Sequence, residues 1–328
     1  MWPKLSKNCD PKHILVFSLT NIGDVVLTCP VIDVLCENFP EARMDVMIGP
    51  KAVSLFEDNP HFKVKIFDKR SSLQEKQAWF LEVRRQHYDC VIDLRRTMLP
   101  VFLMPKYATP VAAFHVYHGH KKDGHLNHLR RLYPFEVPAA RQYAVVTVTQ
   151  DERFFDEEVA PFVRTQPFVV VAPGAASSEK RWTPDGFVAV ADHLSRSTKV
   201  IFVGDAKDRA VITSIQNRMK SPSLSLAGKS SLRQLAYVLK KAALALTHDS
   251  GVMHLASYLN VPLVVLWGPT PLEKYAPWSD RSVVVKRNEL CERCRDPKMK
   301  APHQCMSFIK PEDVIKAIEA LKDEKPIP

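Results

Sequence analysis

One stretch constrains the possible folds of this chain more than any other. Ala242 to Leu246 is an apolar run, Thr247-His248-Asp249-Ser250-Gly251 is polar and tight, a helical pattern follows to Leu259, and Val261-Pro262-Leu263-Val264-Val265-Leu266-Trp267 is apolar again. Strand, turn, helix and strand in that order make a βαβ unit. Strands joined this way lie parallel, and their continuous apolar runs imply a sheet covered on both faces. Asp249, Ser250 and Gly251 fall where the helix begins. Backbone N–H groups lack partners there and the helix dipole is positive, so such a corner binds anions, most often phosphate. Plain N-capping is the other reading, because Asp and Ser are preferred caps. The two coexist, since one capping side chain does not consume all four free donors.

The same grammar runs through the rest of the chain. His13–Phe17 reads as a buried strand, 18–23 as a turn, and Asp24 to Asn38 as a helix kinked near its first turn by Pro30. Strands are expected at Met44–Ile48, Val64–Phe67 and Asp89–Leu94, with a helix at Leu73–Gln86 and a corner at Arg95-Arg96-Thr97. A charged helical stretch from Asp151 ends in Arg164-Thr165-Gln166-Pro167, which reads as a linker. The second half then restarts, with strands at Phe168–Ala172, Val200–Val203, Leu224–Leu226, Ala242–Leu246, Val261–Trp267 and Val283–Lys286. Helices are expected near Pro184–Ser195, Asp208–Lys220, Leu232–Leu239 and Ser250–Leu259, and a last amphipathic one from Pro311 to Lys322. The expected architecture is α/β: two Rossmann-like, doubly wound domains, 1–160 and 161–310, with ligands at the carboxyl ends of both sheets, facing across a cleft.

Composition narrows the function. With 328 residues and 46% hydrophobic content the chain can fill two cores. Its formal charge is 46 − 36 = +10, which favours an anionic partner. Seven cysteines spread over a long chain do not suggest a disulfide framework and fit a reducing compartment. The first thirteen residues lack the apolar core of a signal peptide, and no run approaches the roughly 18 apolar residues of a membrane span. A cytoplasmic protein is expected, with peripheral contact at the inner face of the cytoplasmic membrane as an option. G-x-G-x-x-G and the P-loop are both absent, which argues against hydride transfer and P-loop phosphoryl transfer. His115 to Arg131 collects five histidines with Lys121, Lys122, Arg130 and Arg131, and reads as a solvated basic loop suited to anions rather than metal. Cys291, Cys294, His303 and Cys305 have irregular spacing, and no metal is expected there.

Four groups converge on the expected ligand face: Asp24 at the start of the first helix, Lys180 in the loop that begins Pro173-Gly174, Asp208 after the strand ending Val203-Gly204, and Asp249. Singly, each has a simpler reading as a cap, a dipole partner or a surface lysine. These residues also carry a resemblance. Leu19-Thr20-Asn21-Ile22-Gly23-Asp24-Val25-Val26-Leu27-Thr28-Cys29-Pro30, Lys180-Arg181-Trp182-Thr183, Asp249-Ser250-Gly251-Val252-Met253-His254-Leu255-Ala256 and Trp267-Gly268-Pro269-Thr270 resemble the motifs of glycosyltransferase family 9, the ADP-heptose:lipopolysaccharide heptosyltransferases. The resemblance implies a GT-B fold whose last helix, 311–328, returns to the N-terminal domain. It implies metal-independent, inverting transfer of heptose from ADP-heptose to an inner-core lipopolysaccharide acceptor, with no cofactor. By the same resemblance Asp24 is the general base, Lys180 binds the diphosphate and Asp208 the ribose. Gly174, Asp249, Ser250, Gly251 and His254 complete the donor site. A related transferase using another sugar nucleotide or a non-heptose acceptor remains an alternative. So does a non-catalytic nucleotide- or nucleic-acid-binding protein, motivated by the charge, although no RNA-recognition or helix-turn-helix signature supports it and no nucleic-acid partner is expected.

Overall fold

The computed structural model describes the chain apart from residues 1, 7–8, 112–116, 137–143, 147–150, 290, 297, 299, 301 and 324–328. It divides into two compact units, Met1–Thr147 and Val148–Pro328.

The first unit is built on five parallel strands: β1 (His13–Phe17), β2 (Arg43–Ile48), β3 (Phe62–Ile66), β4 (Cys90–Asp93) and β5 (Tyr107–Ala108). Their order is β3-β2-β1-β4-β5. The chain steps outward from β1 to β3, then returns to the other side of β1. Loops leaving β1 and β4 therefore part at a topological switch, the place where open parallel sheets bind ligands. Phe17 pairs with Met47 and with Asp93, so the loops after β1, β2 and β4 leave the sheet at one level.

The expected helix from Asp24 to Asn38 is two helices, Ile22–Val26 and Cys29–Asn38. Pro30 stands in the first turn of the second helix instead of kinking one long helix. Proline lacks the N–H that an interior position needs, and its ring would strike the carbonyl four residues back. In a first turn that N–H is not required. A buried hydroxyl pair holds the break: Thr28 Oγ1 donates to the Val25 carbonyl at 2.6 Å and lies 2.6 Å from Ser18 Oγ. The basic segment also differs from expectation. Lys121–Arg130 is a helix, capped by His120 Nδ1, which accepts from the Lys122 N–H at 3.2 Å. His115 lies outside the described residues.

The second unit carries β6 (Phe168–Ala172), β7 (Lys199–Phe202), β8 (Leu224–Ser225), β9 (Leu244–His248), β10 (Leu263–Leu266) and β11 (Ser282–Val285). They are parallel in the order β11-β10-β9-β6-β7-β8, so the switch lies between β6 and β9. Its strands supply Val169, Val171, Val200, Phe202, Leu246, Val264 and Leu266 to a core completed by Phe187, Ile212 and Ile215 of the covering helices. Each such side chain removed from water contributes about 1.5–3 kcal/mol.

Two expected limits move. The expected boundary at 160 is replaced by one near 147, because residues from 151 onward pack into the second unit. Asp151 is buried and pairs with Arg233 at 2.9 Å, while helix Glu152–Glu158 packs on helix Leu232–Lys241. The last helix, Pro311–Asp323, expected to return to the first unit, packs within the second. Its stripe of Val314, Ile318 and Leu321 is buried in the second unit's core, against helix Pro184–Leu194, β10 and β11. Spacings of four and three put those three side chains on one helical face, and the nearest apolar surface claims it. Among the described residues no helix is long and apolar enough to cross a membrane.

Candidate active site

At the second unit's switch point two loops meet. One leaves β6 and contains a 3₁₀ turn, Ser178–Lys180; the other leaves β9 as Asp249-Ser250 and enters helix Gly251–Tyr258. Lys180 Nζ donates to Asp249 Oδ2 at 2.7 Å. The Asp249 side chain is only 7% exposed, whereas that of Lys180 is 32% exposed, so the pair turns its ammonium toward solvent. Ser250 caps the helix, its Oγ accepting from the Met253 N–H at 3.4 Å and lying 3.1 Å from Thr247 Oγ1. His254, one turn in, is buried with Nε2 4.0 Å from Asp249 Oδ1, and its ring stacks on Trp278 at 5.6 Å. The corner thus offers a fixed ammonium beside a helix N-terminus, which suits a polyanion.

His248, the last residue of β9, was not singled out by its sequence context. Its Nε2 accepts from the Trp182 N–H at 2.9 Å, which ties down the end of the turn carrying Lys180. Burial lowers its pKa to about 4, so the ring is neutral and free to accept. A histidine ending a buried strand beside the ligand turn was the available signal. Arg181 was missed too; its Nε donates to the Ala175 carbonyl at 2.9 Å and closes the loop after β6 on itself.

Asp208 closes the 3₁₀ turn Ala206–Asp208 after β7, one residue before the helix that it was expected to open. Its Oδ2 accepts from the Asp205 N–H at 3.0 Å in a capping box. Burial raises its carboxyl pKa, opposed by that N–H bond and by Arg181. The carboxylate rests on bare backbone: a Cβ on Gly174 would come 2.3 Å from Asp208 Oδ2, and one on Gly204 2.7 Å. Gly174 and Asp208, though on different loops, therefore form one feature. Gly174→Ala is expected to displace the carboxylate and lower stability by about 1–3 kcal/mol, the range for overpacking. Its melting temperature, compared with that of the Gly174→Ala/Asp208→Ala double variant, checks this: the clash should be relieved in the double variant.

In the first unit, Asp24 lies in the first turn of helix Ile22–Val26, with Asn21 Nδ2 donating to its Oδ2 at 2.9 Å. The preceding turn is braced by the loop after β2. A Cβ on Gly49 would meet the Thr20 carbonyl oxygen at 2.5 Å, and the Gly49 N–H donates to the Leu19 carbonyl at 3.1 Å. Across the switch, Asp93 ends β4 and shapes the Arg95-Arg96-Thr97 corner. It accepts from the Arg95 N–H at 3.0 Å and from Thr97 N–H and Oγ1 at 2.7 and 2.6 Å. Arg95 covers the Phe17 and Phe67 rings at 5.1 and 5.0 Å. In helix Lys121–Arg130 the histidines divide from the basic residues. His125 and His128 are buried, and burial together with Arg96 holds their pKa values at about 3 and about 4. That segment's basic character rests on Lys and Arg rather than on these two rings. A groove of about 470 Å³ lined by Phe39, Arg43, Met44, His61 and Lys63 lies at the amino ends of β2 and β3, the wrong end of the sheet for the ligand face.

One group of metal-ligating side chains occurs among the described residues: Cys291, Cys294, His303 and Cys305, with ligand atoms within 4.8 Å of one another.

Comparison with known proteins bears on the family and the fold. The family model of glycosyltransferase family 9 (heptosyltransferase) matches residues 78–304, which include Gly174, Lys180, Asp208, Asp249–Gly251 and His254 but not Asp24. Lipopolysaccharide heptosyltransferase 3 of Escherichia coli is 26% identical over 326 residues, covering 91% of this chain and 96% of that protein. The structure of a family 9 glycosyl transferase from Veillonella parvula DSM 2008 superimposes with a TM-score of 0.81 at 25% identity, covering 99% of this chain and all of that one. ADP-heptose lipopolysaccharide heptosyltransferase II of Escherichia coli shares the fold at a TM-score of 0.75 and 20% identity, over 95% of this chain and 100% of that chain. With the matched model spanning more than half its length, and with two parallel-sheet units of the GT-B kind, this chain belongs to glycosyltransferase family 9.

Proposed function

We propose that this glycosyltransferase moves heptose from ADP-heptose to an inner-core lipopolysaccharide acceptor, with inversion and without a catalytic metal. The observation that carries this reading is the Lys180–Asp249 pair beside the N-terminus of helix Gly251–Tyr258, at the switch point of the second sheet. The two Escherichia coli relatives are named as lipopolysaccharide heptosyltransferases, one of them with ADP-heptose.

In this reading the Asp249 carboxylate, itself repelled by phosphate, serves to hold Lys180. The ammonium and the N–H groups of the helix's first turn then bear the diphosphate charge as the glycosidic bond breaks. Asp208, seated against Gly174, meets the ribose hydroxyls with Oδ1. Asp24 takes the proton from the acceptor hydroxyl. A carboxylate with a reference pKa of about 3.9 is ionised at neutral pH and can accept that proton late in the reaction. Exposed Lys121, Arg130 and Arg131, with half-buried Lys122 beside them, meet an anionic glycolipid, a task that fits a cytoplasmic enzyme working at the membrane's inner face.

A panel of nucleotides and nucleotide sugars tests the donor by thermal shift, since a ligand bound only by the folded state raises apparent stability. ADP and ADP-heptose should give the largest shifts. Oligonucleotide binding with steep salt dependence and no ADP response would overturn the reading in favour of a nucleic-acid binder. Two variants test the roles. Asp208→Ala is expected to weaken ADP binding by about 1.5–3 kcal/mol, measured by calorimetry; unchanged affinity removes Asp208 from the donor site. Lys180→Ala is expected to lower kcat by about 10²-fold or more, as removal of a transition-state charge partner does. A raised KM with normal kcat would instead mark Lys180 as a uniform binder of donor.

A further inference from the structure

We propose that Cys291, Cys294, His303 and Cys305 bind one thiophilic divalent ion, zinc by preference, in a closed four-coordinate site that braces the turn carrying Lys180. The expectation from spacing that these residues hold no metal gives way to their arrangement. Cys291 Sγ lies 3.5 Å from Cys305 Sγ and 3.7 Å from His303 Nδ1. Cys294 Sγ lies 3.4 Å from each of the same two atoms. A tetrahedral ion with Zn–S bonds of about 2.3 Å and Zn–N bonds of about 2.0 Å requires ligand-to-ligand edges of roughly 3.5–3.8 Å. Four of the six edges, at 3.4–3.7 Å, lie close to those values, and all four ligand atoms lie within 4.8 Å of one another. These separations are far too long for a disulfide of about 2.05 Å, and all three cysteines are free.

Local structure explains how irregular spacing yields a regular site. Cys291 caps the single helical turn Glu292–Arg295, and its carbonyl accepts from the Cys294 N–H at 2.9 Å, which brings the two sulfurs of the C-x-x-C pair to one side. His303 lies two residues before the 3₁₀ turn Cys305–Phe308 and Cys305 opens it, and the turn's Met306 is buried in the second unit's core. Three thiolates and a neutral imidazole fill all four positions, leaving none open for water or substrate, so the role is structural. The three thiols bind deprotonated and release their protons to solvent. With a divalent ion the cluster carries one net negative charge, next to Arg293 and Arg295 on the same turn.

The site's neighbour gives it a task. The His303 N–H donates to Glu179 Oε1 at 3.2 Å, and Trp182 Nε1 donates to the Ile309 carbonyl at 3.0 Å. The segment that the ion would knot therefore holds the turn Ser178–Lys180 directly at Glu179, and the chain just beyond it holds Trp182, two residues after the turn. Without the ion, four side chains of a short loop have only weak sulfur contacts to keep them together, and Glu179 loses a fixed partner.

Elemental analysis of the full chain, purified without chelator, tests the site, with about one equivalent of zinc, or of iron in its place, expected per chain. Cys294→Ser and Cys305→Ser should each lose it. Where a variant fails to fold, cobalt(II) added to chelator-treated wild-type protein decides instead: tetrahedral thiolate absorption is expected, saturating at about one equivalent. Substoichiometric metal together with no such absorption overturns the site. Hydrogen exchange tests the brace without reference to any substrate. On metal removal, amides of 177–182 should exchange about tenfold faster while those of β6 and β9 stay protected. Unchanged exchange in 177–182 overturns the brace.

Discussion

Asp24→Asn is expected to lower kcat by about 10²–10⁴-fold, the range for loss of a general base, which is roughly 3–5 kcal/mol of barrier. The substitution keeps the shape of the side chain and removes its proton affinity. Donor affinity should not change, because Lys180, Asp208 and Asp249 all belong to the second unit. Folding should change little as well. The turn before Asp24 is held by the close approach of Gly49 to Thr20 and by the buried Ser18–Thr28 hydroxyl pair, none of which involves the carboxylate. The opposite pattern would follow if Asp24 only complements the helix: a loss of ~1 kcal/mol in stability with catalysis nearly intact. The structure sharpens this contrast, since the carboxylate's side-chain partner is Asn21, a bond that an amide can also accept. Measuring kcat and Tm on one Asp24→Asn preparation separates the two, and a near-normal kcat sinks the assignment.

Acid should destabilise this protein well before its carboxylates titrate. His125, His128 and His248 are all buried, and their pKa values are lowered to about 3, about 4 and about 4, chiefly by burial, with nearby arginines pushing the same way. In the unfolded chain the same rings take up protons near pH 6.5. Between about pH 6.5 and 4 the unfolded state therefore binds more protons than the folded one, so stability falls as pH falls through that window and is level above it. Each ring contributes a slope of up to about 1.4 kcal/mol per pH unit. His125 and His128 belong to the first unit and His248 to the second, so the first unit loses at most ~3 kcal/mol per pH unit and the second at most ~1.4. Denaturant midpoints at pH 7, 6 and 5 measure it. His248→Gln keeps an acceptor for the Trp182 N–H and removes the second unit's ring from this effect, so that unit's slope should fall while the first unit's stays. A stability that stays level from pH 7 to 5 would show that these rings are not held neutral. Because His248 anchors Trp182, the turn carrying Lys180 should loosen in the same window.

Strand positions and the βαβ grammar were legible from residues alone. Runs such as Phe168–Ala172 and Leu263–Leu266 are apolar at every position, and only a sheet covered on both faces buries both sides of a strand. The turn at Asp249-Ser250 was legible too, since caps and helix starts are local events. The break at Thr28 was half legible: Pro30 announced a disturbance, but the hydroxyl pair with Ser18 that sets its place spans ten residues. Partnerships across distant segments were not legible at all. Lys180 meets Asp249 across 69 residues, Asp208 rests on Gly174 from another loop, and the last helix joins the second unit although its amphipathic stripe named no partner. The same holds for the cysteines and His303, whose spacing looked irregular because part of their geometry is set by the buried Met306 and by Glu179. A sequence records which faces must be buried and which backbone turns are allowed. Which buried face meets which is a competition among all of them, and only the packed chain decides it.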